Sequence, residues 1–481
     1  MRGVNSKNII NAIRWLIRVY SLYALILGAI ILGFHKHNNS TYLDTHKVER
    51  FFGDGVGQDR VALVEDRFES GLTRINFIEN ANETIDISYF KIDEGLSADI
   101  FTGCLLEAAD SGVKVRLLLD GSMSNLTKMK DIEYALREYP NIEFKYYDPV
   151  NLLSPWAWNN RLHDKIIIVD EQYAMLGGRN IGDRYFAPDD YDGEKTNDRD
   201  VVIINTDNEN KSNSAVTQVI KYYDYVWEHE YSKYPSKRLT SSKKEKGQEK
   251  ANSLKEYIRN LRVTKPNMFY GDYNWIEESL PTKKVTLIHN PIERLNKEPW
   301  CYYEITNLMK QASDSIFIQS PYIIPTKEMV EYLDGVNLSP RNIDILTNSL
   351  ASTPNVMAYS GYIRHREDIV DLGVNVYEFQ GPGSIHAKSY IFDNRISLVG
   401  SFNFDSRSTH LSTETMVVID SEEFAAHLNK VVNKSVNSSL KVDEDYSYIH
   451  DPYVKEADFN FIKPIIVKGL SVITNLVDFL L

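Results

Sequence analysis

The sequence predicts an α/β fold built twice: two homologous α/β/α sandwich repeats packed as a pseudo-two-fold unit, with an N-terminal transmembrane helix. Three observations carry this. The run Val19 to Phe34 contains no charge. The pattern H-x-K-x4-D-x6-G-[GS]-x-N occurs twice, the second copy starting 223 residues after the first. Segments such as VRLLL (115–119) and KIIIV (165–169) are nearly continuous apolar runs, as expected of strands covered on both faces.

Composition sets the frame. The 481 residues suggest about three domains' worth of chain at roughly 150 residues each. Apolar residues at 43% and charged residues at 25% exclude a collagen-like, mucin-like or wholly disordered chain. Lys plus Arg number 54 against 67 Asp plus Glu, a formal charge of −13, which weighs against gripping duplex nucleic acid. Cys104 and Cys301 belong to no Cys-x-x-Cys or Cys/His cluster, so a zinc ribbon or disulfide scaffold is excluded and two inert thiols are expected.

Residues 1–36 read as a membrane anchor. Val19–Phe34 gives about 24 Å of helix against a hydrocarbon core of about 30 Å. Upstream, Ile9–Ile17 is apolar apart from Asn11 and Arg14; Arg14 and Arg18 can snorkel, and Trp15, Tyr20 and Tyr23 suit an interface. The following GFHKHNNS offers no small-x-small site, which favours an anchor over a cleaved signal peptide. Arg2, Lys7, Arg14 and Arg18 precede the span, while Lys36, Lys47 and Arg50 follow it, offset by Asp44 and Glu49. That bias places the N-terminus in the cytoplasm and the bulk of the chain on the extracytoplasmic side of the cell membrane.

After a linker (37–57) comes the first repeat, 58–230, and the second occupies 285–430. The copies are His163-Asp-Lys165 with Asp170 and Asn180, and His386-Ala-Lys388 with Asp393 and Asn403. Upstream, 79–90 matches 310–322, 113–120 matches 341–348, and 141–148 matches 374–381. Each half reads helix, strand, helix, strand, strand, and then the motif strand. Residues 231–284 form a basic connector in which 233–250 reads as an exposed loop, alternatively a contact for anionic headgroups. The extension 431–481 ends in Ile465–Leu481, where Lys468, Ser471, Asn475 and Asp478 recur at helical spacing. A helix packed on the domain is expected; the alternative is one lying in a membrane interface.

The chemistry follows from spacing. His and Lys two apart on a strand share a face, while Asp164, Asp170 and Asp393 point the other way, so each motif Asp is expected to anchor its strand by hydrogen bonds. A local two-fold brings His163, Lys165, His386 and Lys388 into one pocket, with Asn180 and Asn403 delivered by the following turns. Imidazoles, ammonium groups and amides without clustered carboxylates suit a phosphate, and no metal or other cofactor is expected. One His can attack phosphorus while the other protonates the leaving oxygen and deprotonates the incoming hydroxyl. A nucleophilic imidazole needs an acceptor on its other nitrogen, and each copy offers a carboxylate before its last strand: Glu414 in the second, Asp198 or the less favoured Asp200 in the first.

This duplicated motif resembles the phospholipase D superfamily from about Gln58 to Asp420. LGGRNIGDRYF (176–186), DRDV (198–201), SPYIIP (320–325) and SFNFDSRSTHLSTE (401–414) look like the bacterial cardiolipin synthases, closest to the C-type subfamily. The resemblance implies a membrane phosphatidyltransferase that acts on phospholipids such as phosphatidylglycerol, with His163, Lys165, Asp170, His386, Lys388 and Asp393 as the catalytic set. It also implies His163 as nucleophile and His386 as acid/base, an assignment that sequence symmetry alone leaves open. Relatives commonly carry a basic, Asn-containing run before the first motif and Asn between its His and Lys; here the run is PWAWNNRL and Asp164 takes that place. Since Asp164 projects away from the pocket, catalysis is expected to survive. PWAW (155–158) either reaches a membrane interface or packs over the core, and Tyr322 either lines the pocket or packs structurally. The alternatives are a hydrolase of the same chemistry, a phospholipase D or less favoured nuclease, and a non-catalytic phosphate-binding membrane protein. The lipid bilayer is the expected partner, and nucleic acid is not.

Overall fold

Two mixed sheets carry the repeat. The computed structural model describes residues 6–188, 191–207, 209–236, 238–269, 273–333 and 342–481. Arg2, Lys237 of the basic segment and Arg341 at the start of a matched strand lie outside them. The first sheet holds β1 (Asp59–Val64), β2 (Thr84–Tyr89), β3 (Lys114–Asp120), β4 (Ile142–Tyr147), β5 (Lys165–Val169), β6 (Tyr173–Gly177) and β7 (Asp200–Asn205). The second holds β8 (Lys284–His289), β9 (Ser315–Gln319), β10 (Asn342–Asn348), β11 (Asn375–Phe379), β12 (Lys388–Phe392), β13 (Ile396–Gly400) and β14 (Thr415–Asp420). Their spatial orders, 4-3-2-5-6-7-1 and 11-10-9-12-13-14-8, are the same order repeated. In each, the first three strands of that order run parallel and the motif strand pairs antiparallel with the next.

The sheets face each other. Ile166, Ile168, Leu176, Val201 and Ile203 of one meet Ile391, Val399, Val417 and Ile419 of the other in a shared apolar layer. Separate cores lie under the outer helices of each half. Both faces of each motif strand are therefore buried, which is why β5 is apolar throughout after its lysine and β12 is apolar apart from Ser389, whose hydroxyl accepts from Arg199.

Five segments differ from expectation. Helices Lys130–Glu138 and Val356–Asp371 stand between strands that the sequence reading joined directly. The basic segment is not a loop: α2 (Ser241–Thr264) buries Ala251, Leu254, Ile258 and Leu261 at helical spacing against the first repeat. That apolar stripe begins just beyond the Lys-rich window. Gly103 makes room for it, since a Cβ there would stand 2.5 Å from Ile258 Cγ1. The linker is docked, with Tyr42 stacked on Trp300 at 4.0 Å and Arg50 paired with Glu304. The C-terminal helix α4 (Lys463–Thr474) does pack on α3 (Val356–Asp371), through Val467 and Thr474, but leaves Ile465, Ile466, Val472 and Ile473 exposed on its other side.

The N-terminal α1 (Ser6–Leu25) continues through a π-helical turn, Ile26–Ile30, to Phe34. Ile9–Phe34 is long and apolar enough to cross a membrane. Its last turns bury Gly28 and Leu32 against the two-sheet body.

Candidate active site

Two short parallel strand pairs stitch the halves together and bring the site residues together. Arg161–Leu162 pairs with Ser412–Thr413, and Thr196–Asn197 with Ser384–Ile385. His163 therefore emerges beside Glu414, and His386 beside Asp198. His163 Nδ1 lies 2.9 and 3.0 Å from the Glu414 oxygens, and its N–H donates to Thr413 Oγ1 at 3.0 Å. His386 Nδ1 lies 2.6 Å from Asp198 Oδ2, and its backbone N–H donates to Asn197 O at 2.7 Å. Each imidazole is thus oriented by a carboxylate from the other repeat. Both expected acids are in place; Asp200 instead closes a buried cluster with Ser70, Arg74 and Arg179.

The small residue of each motif explains itself here. At Gly178 a Cβ would fall 2.2 Å from Asp198 Oδ1, so glycine makes room for the carboxylate. Its counterpart Ser401 donates to Glu414 Oε2 at 2.5 Å. Asp198 receives instead the Arg199 N–H at 2.8 Å.

Lys165 and Lys388 are buried, and each ammonium donates to the carbonyl of its own motif histidine at 2.5 Å. Lys388 Nζ also stands 3.0 Å from His386 Nδ1. Asn180 donates to Tyr185 OH at 3.1 Å, while the side-chain oxygens of Asn180 and Asn403 are buried without a partner. Asp170 and Asp393 sit apart from this cluster, in left-handed turns at φ 51°. Asp170 collects the N–H groups of residues 82–84, and Asp393 those of 313–315. They tie the motif strand to the start of its neighbour, an anchoring role, and do not meet a substrate. Asp164 is fully buried and accepts from Tyr222 OH at 2.8 Å. Tyr322 packs on the second repeat's core.

Burial governs the electrostatics. It drives His163 well below its ordinary range, aided by Lys165, Lys388 and Arg407, and lowers His386 to about 4 with help from Lys388. Burial likewise lowers Lys165 to about 7 and Lys388 to about 8. It pushes Glu414 up to about 8 and Asp164 up to about 7. Asp198 goes the other way: against burial, the His386 ring and Lys388 hold it well below the usual carboxylate range.

A family model described as cardiolipin synthase, PLD-like domain, matches residues 75–227 and 305–436, one segment in each repeat. The chain belongs to this family. An uncharacterized Helicobacter pylori protein is 30% identical over 79% of this chain and 78% of its own. Cardiolipin synthase C of Escherichia coli is 29% identical over 78% of this chain and 84% of its own, and cardiolipin synthase 1 of Staphylococcus aureus 25% over 81% and 70%. The crystal structure of Haemophilus influenzae phosphatidylserine synthase shares the fold at TM-score 0.61 and 15% identity, covering 88% of this chain and 95% of that one. Like its family, the chain is an enzyme of the phospholipase D superfamily that works on phospholipids.

Several residues around this PLD-like site escape the motif. Phe90 meets the His163 ring edge-on at 5.1 Å, and Tyr185 meets His386 at 5.9 Å. Arg161 and Arg407 add positive charge: Arg407 helps hold His163 down, and each guanidinium donates to a neutral oxygen, Ser122 Oγ and Leu480 O. Arg161 was readable, because it stands two residues before His163 on the same strand face. Arg407 comes from beyond the second motif and needed the fold.

Proposed function

We propose that the chain transfers a phosphatidyl group between two phospholipids through a phosphohistidine on His163. The crosswise pairing of each imidazole with a carboxylate of the other repeat carries this reading, because it fixes which nitrogen of each ring is free. His163 donates Nδ1–H to Glu414 and attacks the donor phosphorus with Nε2. The bond from phosphorus to the leaving headgroup oxygen breaks, and that oxygen takes a proton from His386. An acceptor hydroxyl then returns a proton to His386 and attacks phosphorus, and the P–N bond breaks. Lys165 and Lys388 balance the charge on the nonbridging oxygens, so no metal is required. Phosphatidylglycerol is the proposed donor and acceptor, and the N-terminal charge bias supports an extracytoplasmic site.

Purified protein in vesicles containing labelled phosphatidylglycerol is expected to form cardiolipin and release glycerol, with turnover unchanged by EDTA. Phosphatidic acid as the sole product would overturn the transferase reading.

A further inference from the structure

We infer that the catalytic body is itself partly immersed in the bilayer, through the loop 150–158 and the outward face of α4, so that the site mouth opens at the level of the lipid phosphates. The inference rests on reading α1 as a membrane helix, not on the identity of the reaction.

Depth comes first. Tyr20 OH donates to Leu152 O at 3.1 Å, and Tyr23 OH to Leu153 O at 2.8 Å. Farther along, Asn159 Nδ2 donates to Gly28 O at 2.6 Å within the π turn, where a carbonyl is released from the regular ladder. Pro155 seals this contact, as a Cβ on Gly28 would lie 3.3 Å from it. The apolar stretch Ile9–Phe34 is about 39 Å long against about 30 Å of hydrocarbon, so at most about 9 Å can protrude. Tyr23 lies about 16 Å and Tyr20 about 21 Å before Phe34. Even with all the excess on the catalytic side, their loop partners sit at least about 7 Å below the hydrocarbon boundary.

The loop is built for that depth. Leu152 and Leu153 are 62% and 76% exposed. Several of the loop's polar groups are satisfied within the protein: two tyrosine hydroxyls cap its carbonyls, Asn151 Oδ1 accepts from Leu153 N, and Asn151 O accepts from Trp158 Nε1. Irregular backbone tolerates hydrocarbon only under that condition.

The second element reaches the same place from the C-terminal end. In α4 the side packed on α3 is mixed: Val467 joins the second repeat's core, Thr474 is buried beside Ser360, and Lys463 donates to the carbonyls of Ala351 and Thr353. Ile465, Ile466, Val472 and Ile473 face outward, with Ile465 and Val472 each more than two-thirds exposed. A helix facing water would present polar side chains on that outward face. The segment after it joins the anchor, since the Phe479 ring meets Gly33 and Leu480 O accepts from Arg407, the cation beside His163. The apolar surface of α4 is therefore continuous with the membrane helix and borders the site, and its occupant is lipid.

Full-length protein in phosphatidylglycerol/phosphatidylethanolamine vesicles, carrying one fluorophore at Ile17→Cys, Leu153→Cys, Ile466→Cys or Val263→Cys, tests this with lipid-borne spin-label quenchers. The native Cys104 and Cys301 are buried and escape labelling. Strong quenching is expected at positions 17, 153 and 466, and little at 263. Quenching at 17 without quenching at 153 and 466 would overturn the inference and leave the anchor standing. No quenching at any of the four would overturn both. A Leu153→Asp/Ile466→Asp variant is expected to keep its rate in detergent micelles and lose at least about tenfold on vesicles; equal rates on both would also overturn the inference.

Discussion

The two histidine–carboxylate pairs are the same device in sequence and different devices in the fold. Asp198 is faced by cations and a backbone N–H, so it stays ionised and can support an imidazolium on His386. Glu414 is bonded to His163 and the Ser401 hydroxyl in full burial, and is pushed up to about 8. The Glu414 pair therefore keeps His163 neutral, and on losing its shared proton Glu414 accepts Nδ1–H and frees Nε2, as a nucleophile needs. The Asp198 carboxylate raises the proton affinity of His386 against the burial and the Lys388 charge that lower that ring to about 4, as a general acid needs. Pseudo-symmetry supplies two copies, and a Gly/Ser difference beside each carboxylate helps to break them into roles.

The largest expected effect separates the two histidines directly. His163→Gln should cost about 10⁴-fold or more in kcat and abolish the acid-labile phosphoenzyme. His386→Gln should cost about 10²–10⁴-fold with natural lipid but leave adduct formation from a p-nitrophenyl phosphodiester nearly intact, because that leaving group needs no proton. Rapid-quench trapping of labelled donor reads both. An adduct that persists in the His163 variant and vanishes in the His386 variant would reverse the assignment.

Next come the carboxylates. Glu414→Gln is expected to lower the rate of adduct formation by about 10²–10⁴-fold, and Asp198→Asn to act mainly on leaving-group protonation. The activated donor should therefore rescue Asp198→Asn and not Glu414→Gln. Identical responses would mean that the pairs do not differ in role.

How far the sequence carried this comparison is instructive. The repeat, the His/Lys pairs and both acids were legible because each leaves a local signature: a fixed spacing, or an acid just before an apolar strand. The crossing of Glu414 to His163 and of Asp198 to His386 was not, because it depends on parallel pairs between strands of different repeats. The outward apolar face of α4 was hidden for another reason: periodicity shows that Ile465–Leu481 has two faces and says nothing about how much of its apolar surface meets protein. In α2 the Lys-rich start masked an apolar stripe that begins at Ala251.

A smaller effect tests the lysines that serve both pairs. With Lys165 lowered to about 7 and Lys388 to about 8, their charge is present below those values and lost as pH rises through them. On the acid side, a proton on the Glu414–His163 pair blocks Nε2. The plot of kcat/KM against pH should therefore be a bell with its maximum between about 7 and 8. Lys165→Arg, which keeps its charge, should lower the peak about tenfold and extend the alkaline limb. An unchanged limb would remove Lys165 from the titration.

The smallest effect on turnover concerns a motif carboxylate that has no counterpart in the second repeat. Asp164 stands between His163 and Lys165, where the second repeat has Ala387, yet it points into the fold toward Tyr222. Burial raises its pKa from 3.8 to about 7. The unfolded chain therefore releases this proton at lower pH than the folded one, so native stability falls as pH rises from about 4 to 7 and stays reduced above that. The shift corresponds to a cost on the order of 4 kcal/mol. Asp164→Asn keeps an oxygen for the Tyr222 hydroxyl and removes the charge. It should leave kcat unchanged, raise Tm at pH 8 and leave Tm near pH 4 as it was. A large fall in kcat with Tm unmoved would instead place Asp164 in the proton inventory of the first pair.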